Sequence, residues 1–411
     1  MDTAAAMHSI RRLCSFEGRY PGTDAERRAA NHLAAELESS GRRVEIEPTY
    51  VHPHWHLVHA AHLALGVAAG LISLESPAVG FALALVTATS LYLDLNTRLY
   101  LLRRLFFRRA SQNVLSRGGN PSAAGRVILC AHYDAGRTGW IYGKRGTRLT
   151  SRVPARLRVA LGPMRIVFWT IALLVPLLGA RLAGLDERWL GGIQLVLTGI
   201  LIVAFVLLVD IALSDVVPGA GDNASGVAVA MALAGTLEDE APAHLDVWVL
   251  LTGGQECTSE GMRGFLKRHR RELSRENTYV VAIDTVGHGE LHHVSSEGLA
   301  VSFPMDPRLL AISEAIALAD REGADRYAAE AVATPFLTDA MPARLAGYPA
   351  IAITCLSPLG LPPETSHTHE DTPERIDPDA LASAHDFALE LVRQVDRDLG
   401  RQTARPVLSE A

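Results

Sequence analysis

The sequence predicts an α/β fold in which a mostly parallel sheet is covered by helices on both faces and is interrupted by two pairs of apolar helices. Continuous apolar strands alternate with segments of helical periodicity, as in buried parallel sheets. Four apolar stretches, grouped in two pairs, have the length of membrane spans. Polar residues follow several strands at their carboxyl ends, where open α/β sheets form binding sites.

The strands and helices are predicted from periodicity and turn residues. Continuous apolar segments typical of buried strands lie at 126–136, 245–254, 277–287 and 348–355. Residues 42–51 alternate between apolar and polar side chains, which also indicates a strand. Helical spacing is found at 24–41, 222–237 and 378–399. The alternation of the two kinds of segment favours a parallel sheet between helices.

Composition narrows the function classes. The chain has 411 residues and a formal net charge of -6, so no nucleic-acid partner is indicated. Its 48% hydrophobic content is concentrated in the four apolar stretches. The cysteines lie far apart and form no CxxC pair, which fits a reducing compartment. The N-terminal segment has no apolar run long enough for a signal peptide.

The apolar stretches run over roughly 57–74, 77–95, 165–185 and 190–209. A membrane span needs about 20 apolar residues. The alternative is that they are buried helices of a large soluble domain. Basic residues flank the two pairs on one side, at Arg98, Arg103, Arg104, Arg108, Arg109, Arg137, Lys144, Arg145, Arg148, Arg152, Arg156 and Arg158. The turns inside the pairs hold only Glu75, Asp186, Glu187 and Arg188. Because such basic residues stay in the cytoplasm, we expect a cell-membrane protein with four spans and both termini cytoplasmic.

This topology returns the chain to the same side after each hairpin. The predicted organisation is therefore one domain in three pieces, 1–56, 96–164 and 214–400, with hairpins at 57–95 and 165–213 and a tail at 401–411. The piece at 96–164 contains the basic segments beside the membrane. Membrane lipid is accordingly an expected partner.

Residues suited to metal binding stand at the predicted strand ends. They are His132, Asp134, Asp222, Gln255, Glu256, Asp284 and His367. Imidazole and carboxylates without thiolates suit zinc or another borderline divalent metal. Taken singly, each has another interpretation, since Asp222 can cap a helix, Asp284 can end a strand, and Glu256 or His367 can be an ordinary polar surface residue.

The motifs in this order resemble the family of co-catalytic di-zinc aminopeptidases, which includes glutamate carboxypeptidase-like and glutaminyl-cyclase-like members. The resemblance lies in AHYDAG (131–136), PGAGDNASGVA (218–228), TGGQE (252–256), EGMRGF (260–265), AIDTVG (282–287) and HTHEDTPERID (367–377), with a lead-in at 19–47. It implies a mixed, mostly parallel sheet sandwiched by helices, with both hairpins as insertions.

The resemblance also implies the roles of individual residues. Asp222 would bridge two zinc ions, with His132 and Asp284 completing one site. Glu256 and His367 would complete the other. Asp134 would orient the imidazole of His132. Zinc-activated water would then hydrolyse a peptide or amide whose free amine lies near the metals.

The match fails at one position. Members of the family usually have two adjacent glutamates after the strand, the first a general base, and here the first is Gln255. A primary amide orients water but does not accept its proton, so activity is expected to be reduced. Glu260 is a candidate substitute base, although a solvated glutamate at a helix start is the more ordinary interpretation. Asp339 stands where the family often places substrate-pocket residues, or in a plain turn.

Three functions follow from these observations. The leading one is a membrane-bound, zinc-dependent peptidase of aminopeptidase type. One alternative is a catalytically silent, peptidase-like membrane scaffold or peptide-binding protein, which the loss of a carboxylate at position 255 favours. The other is a di-zinc amidase or cyclase that acts on a non-peptide amide. Retention of all five ligands favours a metal enzyme.

Overall fold

The computed structural model describes residues 1–143, 146, 148, 152, 153, 157, 161–185, 187–323, 326–358 and 360–403. Part of the predicted basic segment and one turn residue, namely Lys144, Arg145, Arg156, Arg158 and Asp186, lie outside these residues.

One mixed sheet organises the described chain. Its strands are β1 (Arg43–Val51), β2 (Arg109–Arg117), β3 (Gly125–His132), β4 (Leu245–Thr252), β5 (Thr278–Ile283), β6 (Glu290–Glu297), β7 (Phe303–Pro304), β8 (Glu330–Ala333) and β9 (Ala350–Leu356). Their order is β1-β2-β4-β3-β5-β9-β6-β7, with β8 paired to β6. The central strands β4, β3, β5 and β9 are parallel, and β1, β2 and β6 extend the sheet in antiparallel fashion.

The helices of the described chain are α1 (Thr3–Cys14), α2 (Asp24–Ser39), α3 (Trp55–Ile72), α4 (Pro77–Leu95), α5 (Pro163–Leu182), α6 (Arg188–Leu213), α7 (Ser225–Asp239), α8 (Glu260–His269), α9 (Pro307–Glu322), α10 (Ala340–Leu345) and α11 (Pro378–Thr403). Those outside the apolar stretches cover both faces of the sheet. The side chain of Thr23 caps α2 by accepting a hydrogen bond from the Glu26 amide.

The central strand β3 illustrates how two cores form. Val127 and Leu129 pack into one core with α1, α2, α7, α9 and α11. Ile128 and Cys130 point the other way, into a core with α8 and α10. Successive strand residues face opposite sides of a sheet, and a strand buried on both sides must therefore be apolar throughout. The predicted fold class is confirmed.

Two details differ from the prediction. The helix expected at 222–237 begins at Ser225, because Asp222 and Asn223 have non-helical backbone angles. Asp222 therefore does not act as the helix cap. The strands β2, β6, β7 and β8 were not predicted, since their sequences are too polar or too short for a clear period of two.

The four helices α3, α4, α5 and α6 are each long and apolar enough to cross a membrane. They pack together, α3 against α4 and α6, and α4 against α5. Leu63, Leu91, Ile171 and Leu201 are fully buried between them. Many outward-facing side chains of this bundle are large and apolar, among them Leu195, Val203 and Val206. In water such a surface would be costly, whereas lipid accommodates it.

Candidate metal centre

The five predicted ligands come together at the carboxyl edge of the parallel strands. His132 is the last residue of β3, Glu256 follows β4 and Asp284 follows β5. Asp222 lies in the turn before α7, and His367 lies in the loop after β9. Because parallel strands end at the same edge, residues distant in sequence converge here.

Their side chains form two groups that share Asp222. In the first group, His132 Nε2 lies 3.3 Å from Asp222 Oδ1 and 3.7 Å from Asp284 Oδ1. In the second, His367 Nε2 lies 3.5 Å from Asp222 Oδ2 and 3.9 Å from Glu256 Oε1. Each group has ligand atoms close enough together to hold one metal ion. The two oxygens of Asp222 thus face different groups.

The donor set fits a cation. His132 is 2% exposed, and its Nε2 atom is buried without a hydrogen-bond partner among the described residues. A buried, unpaired ring nitrogen between carboxylates is costly unless something binds it. A divalent ion between these atoms satisfies both the nitrogen and the acids. Imidazole with carboxylate is a donor set that zinc accepts.

Each imidazole is oriented by a contact between its Nδ1 atom and a main-chain oxygen. His132 Nδ1 lies 3.2 Å from the main-chain oxygen of Asp134 and 3.5 Å from its Oδ1. His367 Nδ1 lies 3.0 Å from the main-chain oxygen of Arg137, and the ring of Tyr142 stacks on it at 4.5 Å. Because a carbonyl oxygen only accepts, each Nδ1 donates, and each Nε2 is left as a free ligand atom.

The Asp134 carboxylate also binds the loop that follows β4. Its two carboxylate oxygens accept hydrogen bonds from the main-chain amides of Gln255, at 3.2 Å, and Glu256, at 2.9 Å. The side chain is fully buried. One carboxylate therefore ties the end of β3 to the loop after β4, and so sets the relative position of His132 and Glu256.

Burial and neighbouring charges shift the titration of the centre. Burial raises the pKa of the Glu256 carboxyl, although the nearby imidazole of His367 opposes this. Burial alone would also raise the pKa of Asp222, but the nearby imidazoles of His132 and His367 hold it below its usual value. Burial lowers the pKa of His132, yet Asp134, Asp222 and Asp284 together raise it well above normal. The excess of buried acid is what a cation would balance.

Gln255 lies beside the centre in the same loop as Glu256. Its Nε2 donates a hydrogen bond of 2.8 Å to the main-chain oxygen of Leu337. This contact fixes the amide and uses a donor that a glutamate would lack. The side chain can direct a polar partner but offers no basic oxygen of carboxylate strength.

The structure does not bring the two remaining predicted residues to the metal ligands. Both carboxylate oxygens of Glu260 face His52, one accepting from its main-chain amide and the other 2.7 Å from its Nδ1. Glu260 is therefore engaged elsewhere and is no solvated surface residue. Asp339 is 2% exposed and accepts hydrogen bonds from Thr252 and Cys130. It is closed off from solvent and so does not line an open pocket.

Three supporting residues had not been predicted. Ser366 donates to Asp222 Oδ2 at 3.1 Å. Asp371 accepts from the main-chain amides of Gly221 and Asp222, and so holds the turn that presents the bridging carboxylate. Arg19 is buried and donates to three main-chain oxygens, those of Tyr133, Pro218 and Gly219. Asp371 lies in the HTHEDTPERID motif and Arg19 begins the lead-in at 19–47, so both segments had been noted, but neither side chain had been given a role.

Comparisons with known proteins bear on the family and the fold of the chain. Residues 208–392 match the model of peptidase family M28. Comparison with curated protein sequences gives no match. A Zn-dependent exopeptidase from Parabacteroides distasonis has a similar structure, with 15% identity, a TM-score of 0.53, and coverage of 95% of this chain and 98% of that one.

Two further solved structures are similar. A glutaminyl cyclase from Bacteroides thetaiotaomicron, bound to N-acetylhistamine, has 16% identity and a TM-score of 0.53, covering 95% of this chain and 97% of its own. The LapA aminopeptidase of Legionella pneumophila has 11% identity and a TM-score of 0.53, covering 96% and 72%. At such identities the likeness concerns the fold. The family match and the shared fold together confirm the predicted resemblance to the zinc aminopeptidase family, with peptidase family M28 matched over residues 208–392.

Proposed function

We propose that this chain is a membrane-bound zinc peptidase of aminopeptidase type that holds two zinc ions and acts with reduced efficiency. The observation that carries the proposal is Asp222, whose two oxygens face two separate ligand groups. His132 and Asp284 complete one group, and Glu256 and His367 the other. A carboxylate shared in this way is what a pair of bridged metals requires.

The roles of the residues follow from their contacts. When bound, a zinc pair polarises the scissile carbonyl and lowers the pKa of water. Asp134 keeps His132 and the Glu256 loop in register. Asp371 and Ser366 hold the turn and carboxylate of Asp222. Gln255 supplies a hydrogen-bonding group beside the centre but cannot hold a transferred proton, and general-base catalysis contributes typically about 10²–10⁴ in rate.

The test is metal content and hydrolysis in detergent-purified protein. We expect one to two zinc equivalents, slow release of leucyl or alanyl amide, loss of that release with a chelator, and recovery with zinc. The panel should include a peptide with N-terminal glutamine, because some structures of this fold are glutaminyl cyclases. Ammonia release without hydrolysis would favour a cyclase, and full zinc content with no turnover would favour a scaffold or peptide-binding protein.

The membrane part of the proposal rests on the helix bundle and the basic residues around it. Helices α3 to α6 would span the cell membrane as two hairpins inserted into one peptidase-like domain. The centre would then lie near the membrane surface, since the segment after α6 contacts the segment that supports His367. Arg137 donates to the main-chain oxygen of Ser214, and the Trp140 amide donates to Asp210 at the end of α6.

The orientation gives a separate prediction. In a Cys14→Ser background the remaining cysteines, Cys130, Cys257 and Cys355, are buried. Single cysteines at the exposed positions Glu75 and Glu187 should react with an impermeant maleimide on intact cells. Cysteines at the exposed positions Ser122 and Ser274 should react only after lysis and serve as the matched controls. Labelling of Ser122→Cys in intact cells would overturn the cytoplasmic placement.

A further inference from the structure

A buried polar cluster joins the first apolar hairpin to the loop that carries Glu256. At its centre is Arg103, in a short 3-10 turn at Leu102–Leu105 after α4. Its side chain is fully buried, as is that of Asp94 in the last turn of α4. Two guanidinium nitrogens, Nε and Nη2, donate to the two oxygens of Asp94. Asp94 Oδ1 also lies 2.9 Å from His59 Nε2 on α3.

The remaining guanidinium nitrogen of Arg103, Nη1, contacts the loop that carries Glu256. Nη1 donates to the main-chain oxygen of Cys257 and to Thr258 Oγ1, both at 3.0 Å. Cys257 directly follows Glu256. Arg103 thus makes forked contacts with two elements at once, which a planar guanidinium with five donors does well.

The loop that follows Glu256 has an unfavourable backbone conformation, which neighbouring groups must stabilise. Thr258 and Ser259 have positive φ angles, 64° and 54°, a region that non-glycine residues rarely adopt. Such a conformation persists only where the surroundings determine it. From the side of the metal centre, Asp134 holds the amides of Gln255 and Glu256. From the opposite side, Arg103 holds the next two residues.

We propose that Arg103 is a positioning residue for Glu256, and that through Asp94 it makes the geometry of the metal centre depend on the first apolar hairpin. The proposal rests on the proposed function in that Glu256 is taken as a zinc ligand. Arg103 itself does not touch the ligand atoms. It acts by fixing the main chain at Cys257, as residues behind metal ligands commonly do.

The test uses a charge-neutral pair, Asp94→Asn with Arg103→Met. Removing both charges avoids leaving Asp94 or Arg103 buried without the other, which is strongly destabilising. Glu260 Oε1, which lies 3.6 Å from Arg103 Nη1, keeps its contacts with His52 in this variant. The matched control is Arg42→Met with Glu238→Gln. Arg42 is also buried, pairs with Glu238 at 2.8 Å and donates to the main-chain oxygen of Val247, but it lies directly before β1.

Two readouts separate positioning from general stability. In metal-free protein, the amides of Cys257, Ser259 and Glu260 should exchange with solvent at least about tenfold faster in the first pair and unchanged in the control. Zinc titration should show the site of Glu256 and His367 losing about 10–100-fold in affinity, the usual effect of removing a group behind a ligand. The site of His132 and Asp284 should keep its affinity.

A second variant, Arg103→Lys, keeps the charge that faces Asp94 but loses the fork. It should show the same two changes to a smaller degree, and it covers the case in which the double variant does not fold. Unchanged exchange and unchanged zinc affinity in Arg103→Lys or in the folded double variant would overturn the proposal. Wild-type protein that binds no zinc would refute the proposed function, while the exchange comparison still decides the role of Arg103.

Discussion

Replacing Asp222 by alanine should remove more zinc than any other single ligand substitution. Its oxygens face both ligand groups, so its loss leaves His132 with Asp284, and His367 with Glu256, as two incomplete pairs. We expect zinc content to fall below one equivalent and the rate of any hydrolysis to drop by more than about 10²-fold. This loss would exceed the usual effect of removing a residue that only supports a metal ligand. Elemental analysis after dialysis, together with a rate assay, measures both.

The control for this substitution is close by. Asp215→Ala removes an acid from the segment that leads to Asp222. The Asp215 side chain is 87% exposed, and its Oδ2 lies 4.0 Å from Nε2 of the exposed His369. Its zinc content and rate should equal those of the wild type. An Asp222→Ala protein that retains stoichiometric zinc would show that the bridging assignment is wrong.

Gln255→Glu should raise any basal aminopeptidase rate by about 10²-fold or more, since it restores the missing base. The side chain keeps its length, but a carboxylate cannot donate to the oxygen of Leu337 as the Gln255 amide does. Repulsion from that oxygen should turn the new carboxylate away from Leu337. Zinc content should stay the same, because position 255 is not among the grouped ligand atoms.

Steady-state hydrolysis of leucyl and alanyl amides at saturating zinc makes this comparison. Gln255→Met, which removes the polar atoms at similar length, is the matched control and should not gain activity. A Gln255→Glu protein that is fully loaded with zinc and still inactive would favour the scaffold. Equal and substantial rates in both forms would mean that another group serves as the base, and Glu260→Gln would test the residue first considered, despite its contact with His52.

The sequence predicted the sheet core well because burial on both faces requires uninterrupted apolar strands. The segments at 126–136, 245–254 and 348–355 contain most of β3, all of β4 and most of β9 for this reason. Strand β2, RASQNVLSR, has no such run, and its place between β1 and β4 depends on pairing with distant residues. Pairing of this kind leaves no local pattern to read.

The same distinction applies to the site. The side chains of the proposed ligands stand directly after strands or in marked motifs, and their convergence follows from topology. Arg103 and Glu260 could not be understood in that way. Arg103 reads as one of several arginines beside a membrane, and only the three-dimensional structure reveals that it is buried against Asp94 and Cys257. Long-range hydrogen bonds between single polar residues have no periodicity.

The order in which the chain emerges during synthesis has a consequence for the centre. Among the proposed ligands, His132 precedes the second apolar hairpin, whereas Asp222, Glu256, Asp284 and His367 follow it. Strand β1 can likewise pair with β2 only after the first hairpin, which lies between them in the chain, has been synthesised. A ribosome must therefore complete both hairpins and pass Asp284 before the first ligand group is complete, and pass His367 before the second is complete. In the proposed topology, both hairpins would therefore enter the membrane before the metal centre could assemble.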